Sequence, residues 1–105
     1  LERAQTPFLI EVAHDAFEAG FQMAMFRPDI LLLDMGLPGV DSVEMCKRLK
    51  ESPEFSNMQI IAGYAQEHTD TAARAVENGA RISLRKPFTP DDLRRVLAKV
   101  GAEVG

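Results

Sequence analysis

The sequence predicts an α/β domain in which helices pack on a parallel sheet. Short apolar runs alternate along the chain with segments in which apolar residues recur at helical spacing. The run Ile30–Leu33, bounded by Asp29 and Asp34, is typical of a central strand covered on both faces. The length of 105 residues allows one such domain, since domains commonly contain roughly 100–150 residues.

Composition excludes several classes of function. Sixteen acidic residues against 12 basic ones give a net charge of −4, which disfavours direct nucleic-acid binding by this segment. Cys46 is the single cysteine, so an intramolecular disulfide and a cysteine-rich zinc site are excluded. The longest apolar run is far shorter than the ~18 residues of a membrane span, and acidic residues interrupt the start where a signal peptide would be apolar. We expect a cytoplasmic protein without membrane contact.

The first predicted elements are a strand, a helix and a second strand. Residues 8–13 are apolar enough for a strand, and in the helix that follows Phe17 and Phe21 share one face. Pro28 stops this helix, because proline disfavours helical geometry in the residue before it. The second strand, 29–34, is the apolar run described above.

A glycine- and proline-containing loop then leads into the next helix. Asp41 can cap this helix, and Glu44 is spaced to complete a capping box. Its inner face carries the side chains of Val43, Cys46 and Leu49.

The rest of the chain repeats the alternation. A strand is predicted over 58–63, a helix over 67–78 closed by Gly79, and a strand over 80–84. Thr89 is a favourable N-cap for the last helix, with a proline and two acidic residues in its first turn. The apolar stripe of that helix consists of Leu93, Val96, Leu97 and Val100.

Chemistry is expected at the carboxyl ends of the strands, where sites form in open parallel sheets. Asp34, Tyr64 and the segment 83–86 fall on that edge. The carboxylate of Asp34 could act as a nucleophile towards phosphorus or as a ligand for Mg²⁺. Lys86 could reach a phosphoryl group as a point charge.

These residues resemble a known family, the receiver domains of two-component response regulators. The resemblance is carried by the segments 27–34, 37–41, 78–80 and 85–88 and by the interval of 52 residues from Asp34 to Lys86. It extends along the whole chain, so 1–105 is interpreted as one receiver domain.

The resemblance implies a flavodoxin-like (CheY-like), doubly wound parallel sheet of five strands in the order 2-1-3-4-5. It also implies that Asp34 accepts a phosphoryl group from a sensor histidine kinase in a phosphorelay, with Mg²⁺ held by Asp34 and the backbone carbonyl of Gly36. Lys86 would contact the phosphoryl group. Such a domain is a signalling phosphoacceptor, with at most self-phosphorylation and self-dephosphorylation activity.

The start of the chain departs from the family pattern. The opening strand of the family, which carries an acidic pair for Mg²⁺, is expected to be missing, and residues 1–4 read as the end of the first helix. One interpretation is an incomplete version of a longer chain, which we favour because buried unpaired amides are costly. The other is a true truncation, repaired by a partner strand or by direct pairing of the flanking strands.

Two site positions also depart from the pattern. Tyr64 stands thirty residues after Asp34, where receivers place a small hydroxyl residue that contacts the phosphoryl group. Ser83 stands three residues before Lys86, where receivers place a switch aromatic. One hypothesis is that the Tyr64 ring fills the space that Ser83 leaves. His68 is expected to be a surface residue, as is His14.

Alternative functions follow from these departures. A pseudo-receiver would use the same fold for binding or dimerisation without phosphorylation. A phosphatase of the aspartyl-phosphate type is disfavoured, because Gly36 stands where that chemistry places a second aspartate. The expected partners are a histidine kinase and an output domain or partner protein. A homodimer through the faces 72–76 and 91–100 is a further hypothesis.

Overall fold

The structure, a computed structural model, describes residues 10–13, 20, 29–36 and 41–104. Within them a parallel sheet is flanked by helices. The strands are β1 (Ile10–Ala13), β2 (Ile30–Asp34), β3 (Gln59–Tyr64) and β4 (Ile82–Arg85). The helices are α1 (Ser42–Glu51), α2 (Thr69–Glu77) and α3 (Pro90–Val104), and a 3₁₀ turn, Gln66–His68, precedes α2.

The strands follow one another across the sheet in the order β1-β2-β3-β4. Ile10 lies opposite Ile30, so β1 pairs directly with β2. The four described strands, in sequential order, correspond to strands 2, 3, 4 and 5 of the predicted order 2-1-3-4-5, and the two strands expected to flank the opening strand pair directly, which is one of the two interpretations left open above. Direct pairing satisfies backbone groups that two open strand edges would leave without partners.

Alternation along the strands sends apolar side chains to both faces of the sheet. Leu31 and Leu33 pack with α1 and α2 on one face, whereas Ile30 and Ile61 pack with Val100 of α3 on the other. This explains the uninterrupted apolar run of β2, since a strand with helices on both faces has no polar side. The apolar stripe predicted for α1 packs on the first of these faces, and the stripe predicted for α3 packs on the second.

The capping prediction for α1 is half right. The Asp41 carboxylate accepts hydrogen bonds from the backbone N–H groups of Val43 and Glu44, at 3.1 and 3.2 Å. Glu44 does not complete a capping box, because its carboxylate accepts from Arg48 Nε one turn later, at 2.9 Å. An i, i+4 pair with arginine is the competing partner here.

Some boundaries differ from prediction. The segment predicted as one helix over 67–78 is a 3₁₀ turn followed by α2, which ends before Gly79, a glycine with φ of +130°. The last strand is displaced towards the C-terminus, to Ile82–Arg85. The predicted helix containing Phe17 and Phe21, and His14, lie outside the described residues.

Candidate functional site

The carboxyl ends of three strands meet at one edge of the sheet. Asp34, the last residue of β2, lies opposite Gly63 of β3, and Tyr64 lies opposite Arg85 of β4. The chain continues this pairing past the strands, because the backbone N–H of Lys86 donates to the Tyr64 carbonyl at 2.7 Å. The register therefore brings Asp34 and Lys86 to the same edge, as the sequence predicted.

The two charged side chains form an ion pair. Lys86 Nζ lies 2.6 Å from Asp34 Oδ2, and about two fifths of each side chain is exposed (39% and 38%). The other carboxylate oxygen, Oδ1, accepts from the backbone N–H of Gly36 at 2.8 Å. Asp34 is thus held at both oxygens and remains open to solvent.

Ser42 fixes the backbone of Asp34 from the start of α1. This side chain is 3% exposed, and its hydroxyl donates to the Asp34 carbonyl at 3.0 Å. No sequence pattern indicated this role, because a serine in the first turn of a helix is common. The bond connects the strand end to the helix across the intervening loop.

The environment keeps Asp34 ionised. Partial burial acts to raise the pKa of its carboxyl group, but the hydrogen bonds from Lys86 and the Gly36 amide act against it. Together with the positive charges of Lys86 and His68, they hold the pKa below its ordinary value of 3.8. At neutral pH the group is a carboxylate, the form required of a nucleophile.

His68, predicted to be a surface residue, is half-buried and borders this site. A Cβ placed on Gly36 would come within 2.9 Å of His68 Cε1 and 3.6 Å of Asp34 Oδ1. The imidazole and the carboxylate therefore border the same space above Gly36. A lone histidine in a polar turn carries no sequence pattern that would reveal this contact.

Tyr64 and Ser83 do not join the ion pair. The half-buried Tyr64 ring packs against the cluster formed with α1 and α2, and its hydroxyl makes no hydrogen bond to any described residue. Ser83 lies opposite Ala62, on the strand neighbouring that of Tyr64. Their assigned switch roles stay predictions.

The donor set at Asp34 fits a hard divalent cation in part. The Asp34 carboxylate and the carbonyl of the exposed Gly36 are oxygen ligands of the kind that Mg²⁺ prefers. Among the described residues no group of three or more histidine, cysteine, aspartate or glutamate side chains is placed to hold a metal. Asp34 and Gly36 would therefore supply part of the coordination shell of Mg²⁺, which usually keeps several water ligands.

Comparison with known proteins identifies the family. The sequence model of one protein family, the response regulator receiver domain, matches residues 1–98. The chain belongs to this family. Receiver domains are regulatory phosphoacceptors of two-component signal transduction rather than typical enzymes, and they generally bind Mg²⁺.

Curated relatives include full response regulators. This receiver domain is 38% identical over 82 residues to the phosphate regulon transcriptional regulatory protein PhoB of Rhizobium meliloti (strain 1021), covering 77% of this chain and 36% of that protein. It is 31% identical to the transcriptional regulatory protein KdpE of Staphylococcus aureus, covering 87% and 39%. It is 38% identical to sporulation initiation phosphotransferase F of Bacillus subtilis, covering 70% and 57%. The receiver domain thus spans between about a third and three fifths of these relatives.

Solved structures confirm the CheY-like fold. The signal receiver domain of a DNA-binding response regulator (merR) from Colwellia psychrerythraea superposes with a TM-score of 0.74 at 28% identity, covering 86% of this chain and 73% of that one. The REC domain of AraT from Geobacillus stearothermophilus gives 0.75 at 28% identity, covering 86% and 68%. No helix in the described part of the chain is long and apolar enough to cross a membrane.

Proposed function

We propose that this receiver domain accepts a phosphoryl group on Asp34 from the phosphohistidine of a sensor histidine kinase. The observation that carries the proposal is the ionised, solvent-open Asp34 carboxylate with the Lys86 ammonium 2.6 Å away. A carboxylate in this position is accessible to a phosphodonor, and the ammonium can balance the added negative charge.

In the proposed transfer, an oxygen of the Asp34 carboxylate attacks the phosphorus of the donor. A bond forms between that oxygen and phosphorus while the phosphorus–nitrogen bond of the phosphohistidine breaks. The electron pair of the broken bond stays on the donor imidazole, which binds a proton. Lys86 pairs with the anionic oxygens of the resulting acyl phosphate, and the Gly36 amide holds the carboxyl group in place.

Magnesium would be held by the Asp34 carboxylate and the Gly36 carbonyl. When bound, it would shield the charge of the carboxylate from that of the incoming phosphoryl group. Self-phosphorylation from a small phosphodonor and self-dephosphorylation by water are proposed at the same residues, since both need only an accessible Asp34 and its partners.

A pseudo-receiver is the second candidate, and Tyr64 is the observation that favours it. The Tyr64 ring packs against the core, and its hydroxyl makes no hydrogen bond to Asp34 or to any other described residue. In this alternative the fold serves binding or dimerisation, and Ser83 and Tyr64 do not act as a phosphorylation switch.

The proposed setting is the cytoplasm, with a histidine kinase as donor and an output domain or partner protein as target. Support comes from relatives that are named transcriptional regulatory proteins and are longer than this receiver domain. The proposed domain limits are 1–105, and a homodimer is a further proposal for the complete protein.

Mass spectrometry of the intact protein tests the proposal. The protein is incubated with Mg²⁺ and acetyl phosphate, and we expect the mass to rise by one phosphoryl group. Asp34→Asn is the control and should gain none. If the wild-type protein neither gains this mass nor binds beryllofluoride, the pseudo-receiver is the correct function.

A further inference from the structure

At the edge of the proposed phosphorylation site, the ring nitrogens of His68 have no hydrogen-bond partner among the residues that the structure describes. It is the last residue of the 3₁₀ turn Gln66–His68, where its backbone N–H donates to the Ala65 carbonyl at 2.8 Å. The side chain is half-buried, and it makes no hydrogen bond to any described residue. A neutral imidazole has one N–H donor and a protonated one has two, so His68 has a donor available in either state.

The glycine at position 36 provides the space for this ring. A Cβ there would meet His68 Cε1 at 2.9 Å and Nδ1 at 3.4 Å. Gly36 does not have the positive φ found at Gly79, so contact with the imidazole, rather than backbone conformation, is what disfavours a side chain at this position. The Cε1–Nδ1 edge of the ring lies over the turn that holds Asp34 Oδ1.

A phosphoryl group on Asp34 would need more donors than the ion pair supplies. It brings three strong acceptor oxygens, whereas Lys86 and the Gly36 amide already contact the carboxylate itself. The Tyr64 ring packs against the core, and its hydroxyl makes no hydrogen bond to a described residue. The His68 ring borders the space above Gly36, next to Asp34 Oδ1.

We infer that the His68 imidazole donates a hydrogen bond to the phosphoryl group on Asp34. This inference rests on the proposed function of Asp34 as phosphoacceptor. His68 would contact the phosphoryl oxygens. The 3₁₀ turn would position its side chain, and the absence of a side chain at Gly36 leaves room for the ring. It would stabilise the transfer and the acyl phosphate, and it needs only an N–H donor.

Two substitutions separate hydrogen bonding from packing. His68→Phe keeps a ring over Gly36 without a donor, and His68→Asn keeps a donor near the position of Nδ1. With acetyl phosphate and Mg²⁺, we expect His68→Phe in the intact protein to be phosphorylated about tenfold more slowly, the loss typical of one hydrogen bond to a charged group. His68→Asn should recover part of that rate. Glu67→Gln, an exposed neighbour in the same turn, should match the wild type.

A spectroscopic measurement tests the contact directly. In the protein labelled with ¹⁵N-histidine, we expect the ring nitrogen signals of His68 to shift on phosphorylation of Asp34. Phosphorylation of the wild type with equal rates for all variants and an unchanged His68 signal would overturn the inference and leave Asp34 as phosphoacceptor. A wild type that takes up no phosphoryl group would overturn both.

Discussion

Lys86 Nζ lies 2.6 Å from Asp34 Oδ2, an ion pair between residues 52 positions apart. Asp34 ends β2, and Lys86 follows β4 and precedes a cis peptide bond to Pro87. Because β3 separates these strands, the pair spans the width of three strands at the carboxyl edge of the sheet. The contact depends on the register of the whole sheet, and it places a cation at the carboxylate to which we assign phosphoryl acceptance.

Replacing Lys86 by Gln is expected to raise the pKa of Asp34. Partial burial acts to raise this pKa, and loss of the Lys86 hydrogen bond and charge would leave that effect less opposed. Carbon-13 NMR titration of the Asp34 carboxyl group measures it, with the exposed Lys47→Gln as control. An Asp34 pKa equal to that of the wild type would contradict the assigned ion pair.

The same pair sets a pH dependence of stability. Because the folded-state pKa of Asp34 lies below its ordinary value of 3.8, the pair stabilises the fold above that pH, and the contribution is lost as the pH falls through the folded-state pKa. Lys86→Gln should lower the free energy of unfolding at pH 7 by about 0.2–1 kcal/mol, as expected for a solvent-open pair. Urea unfolding at pH 7 and pH 2.5 should give a smaller difference between variant and wild type at the lower pH.

Cys46 is expected to be inert to thiol reagents in the folded protein. Its side chain is fully buried between α1 and the sheet, and burial raises the pKa of the thiol from 9.0 to about 11. The thiolate population near pH 8 should fall about 100-fold, and reactivity follows the thiolate. Labelling with a chromogenic disulfide before and after adding denaturant measures this. Rapid labelling of the native protein would show that Cys46 is accessible.

Gly79→Ala is expected to destabilise the fold by about 1–3 kcal/mol. The residue has φ of +130°, and an added Cβ would lie 2.4 Å from Lys50 Cγ and 3.1 Å from the Cys46 carbonyl oxygen. The clash would also disturb Lys50, whose ammonium donates to the Ser56 and Met58 carbonyls at 2.7 and 2.9 Å.

The matched control for this variant is Gly20→Ala. Gly20 is helical, and an added Cβ there would meet no atom within 4 Å. Chemical unfolding of both variants should therefore show a loss only at Gly79. Equal free energies of unfolding for the two variants would mean that the backbone at Gly79 relaxes without cost.

Thr89→Ala is expected to lower the free energy of unfolding by about 1 kcal/mol, the usual cost of losing an N-cap. The Thr89 hydroxyl accepts from the Asp92 backbone N–H at 3.0 Å, and the Asp92 carboxylate accepts from the Thr89 N–H at 2.9 Å. Thr89→Ser keeps the hydroxyl and should retain most of the stability in the same measurement. If both substitutions cost the same, the methyl group rather than the cap is responsible.

Acid should weaken this cap in the wild type. The hydrogen bonds from Thr89, with the charge of Arg95, hold the pKa of Asp92 below 3.8. The contribution of the ionised Asp92 carboxylate to the free energy of unfolding is therefore present above that pH and is lost as the pH falls through the lowered pKa. The difference in stability between Asp92→Asn and the wild type should therefore shrink at pH 2.5, because protonation of Asp92 removes the same charge in the wild type.

Local sequence patterns were sufficient to predict most of the strands and helices and to identify Asp34 and Lys86, the two charged residues of the site. The apolar run before Asp34 and the lysine–proline pair after the last strand placed both charged residues at one sheet edge, because parallel strands align their carboxyl ends. Capping by Asp41 and Thr89 was equally readable, since an N-cap involves residues only two or three positions apart. The capping box at Glu44 was wrong because a second local partner, Arg48, competes for the same carboxylate.

The sequence by itself determined the alternation of strands and helices, the helix starts and the residues of the Asp34–Lys86 pair. Only the tertiary structure decided that β1 pairs directly with β2, that Ser42 holds the Asp34 carbonyl, and that His68 lies over Gly36. The physical reason is the range of the interactions. Periodicity and capping act within a few residues, whereas strand order and the space above a glycine depend on how distant segments pack.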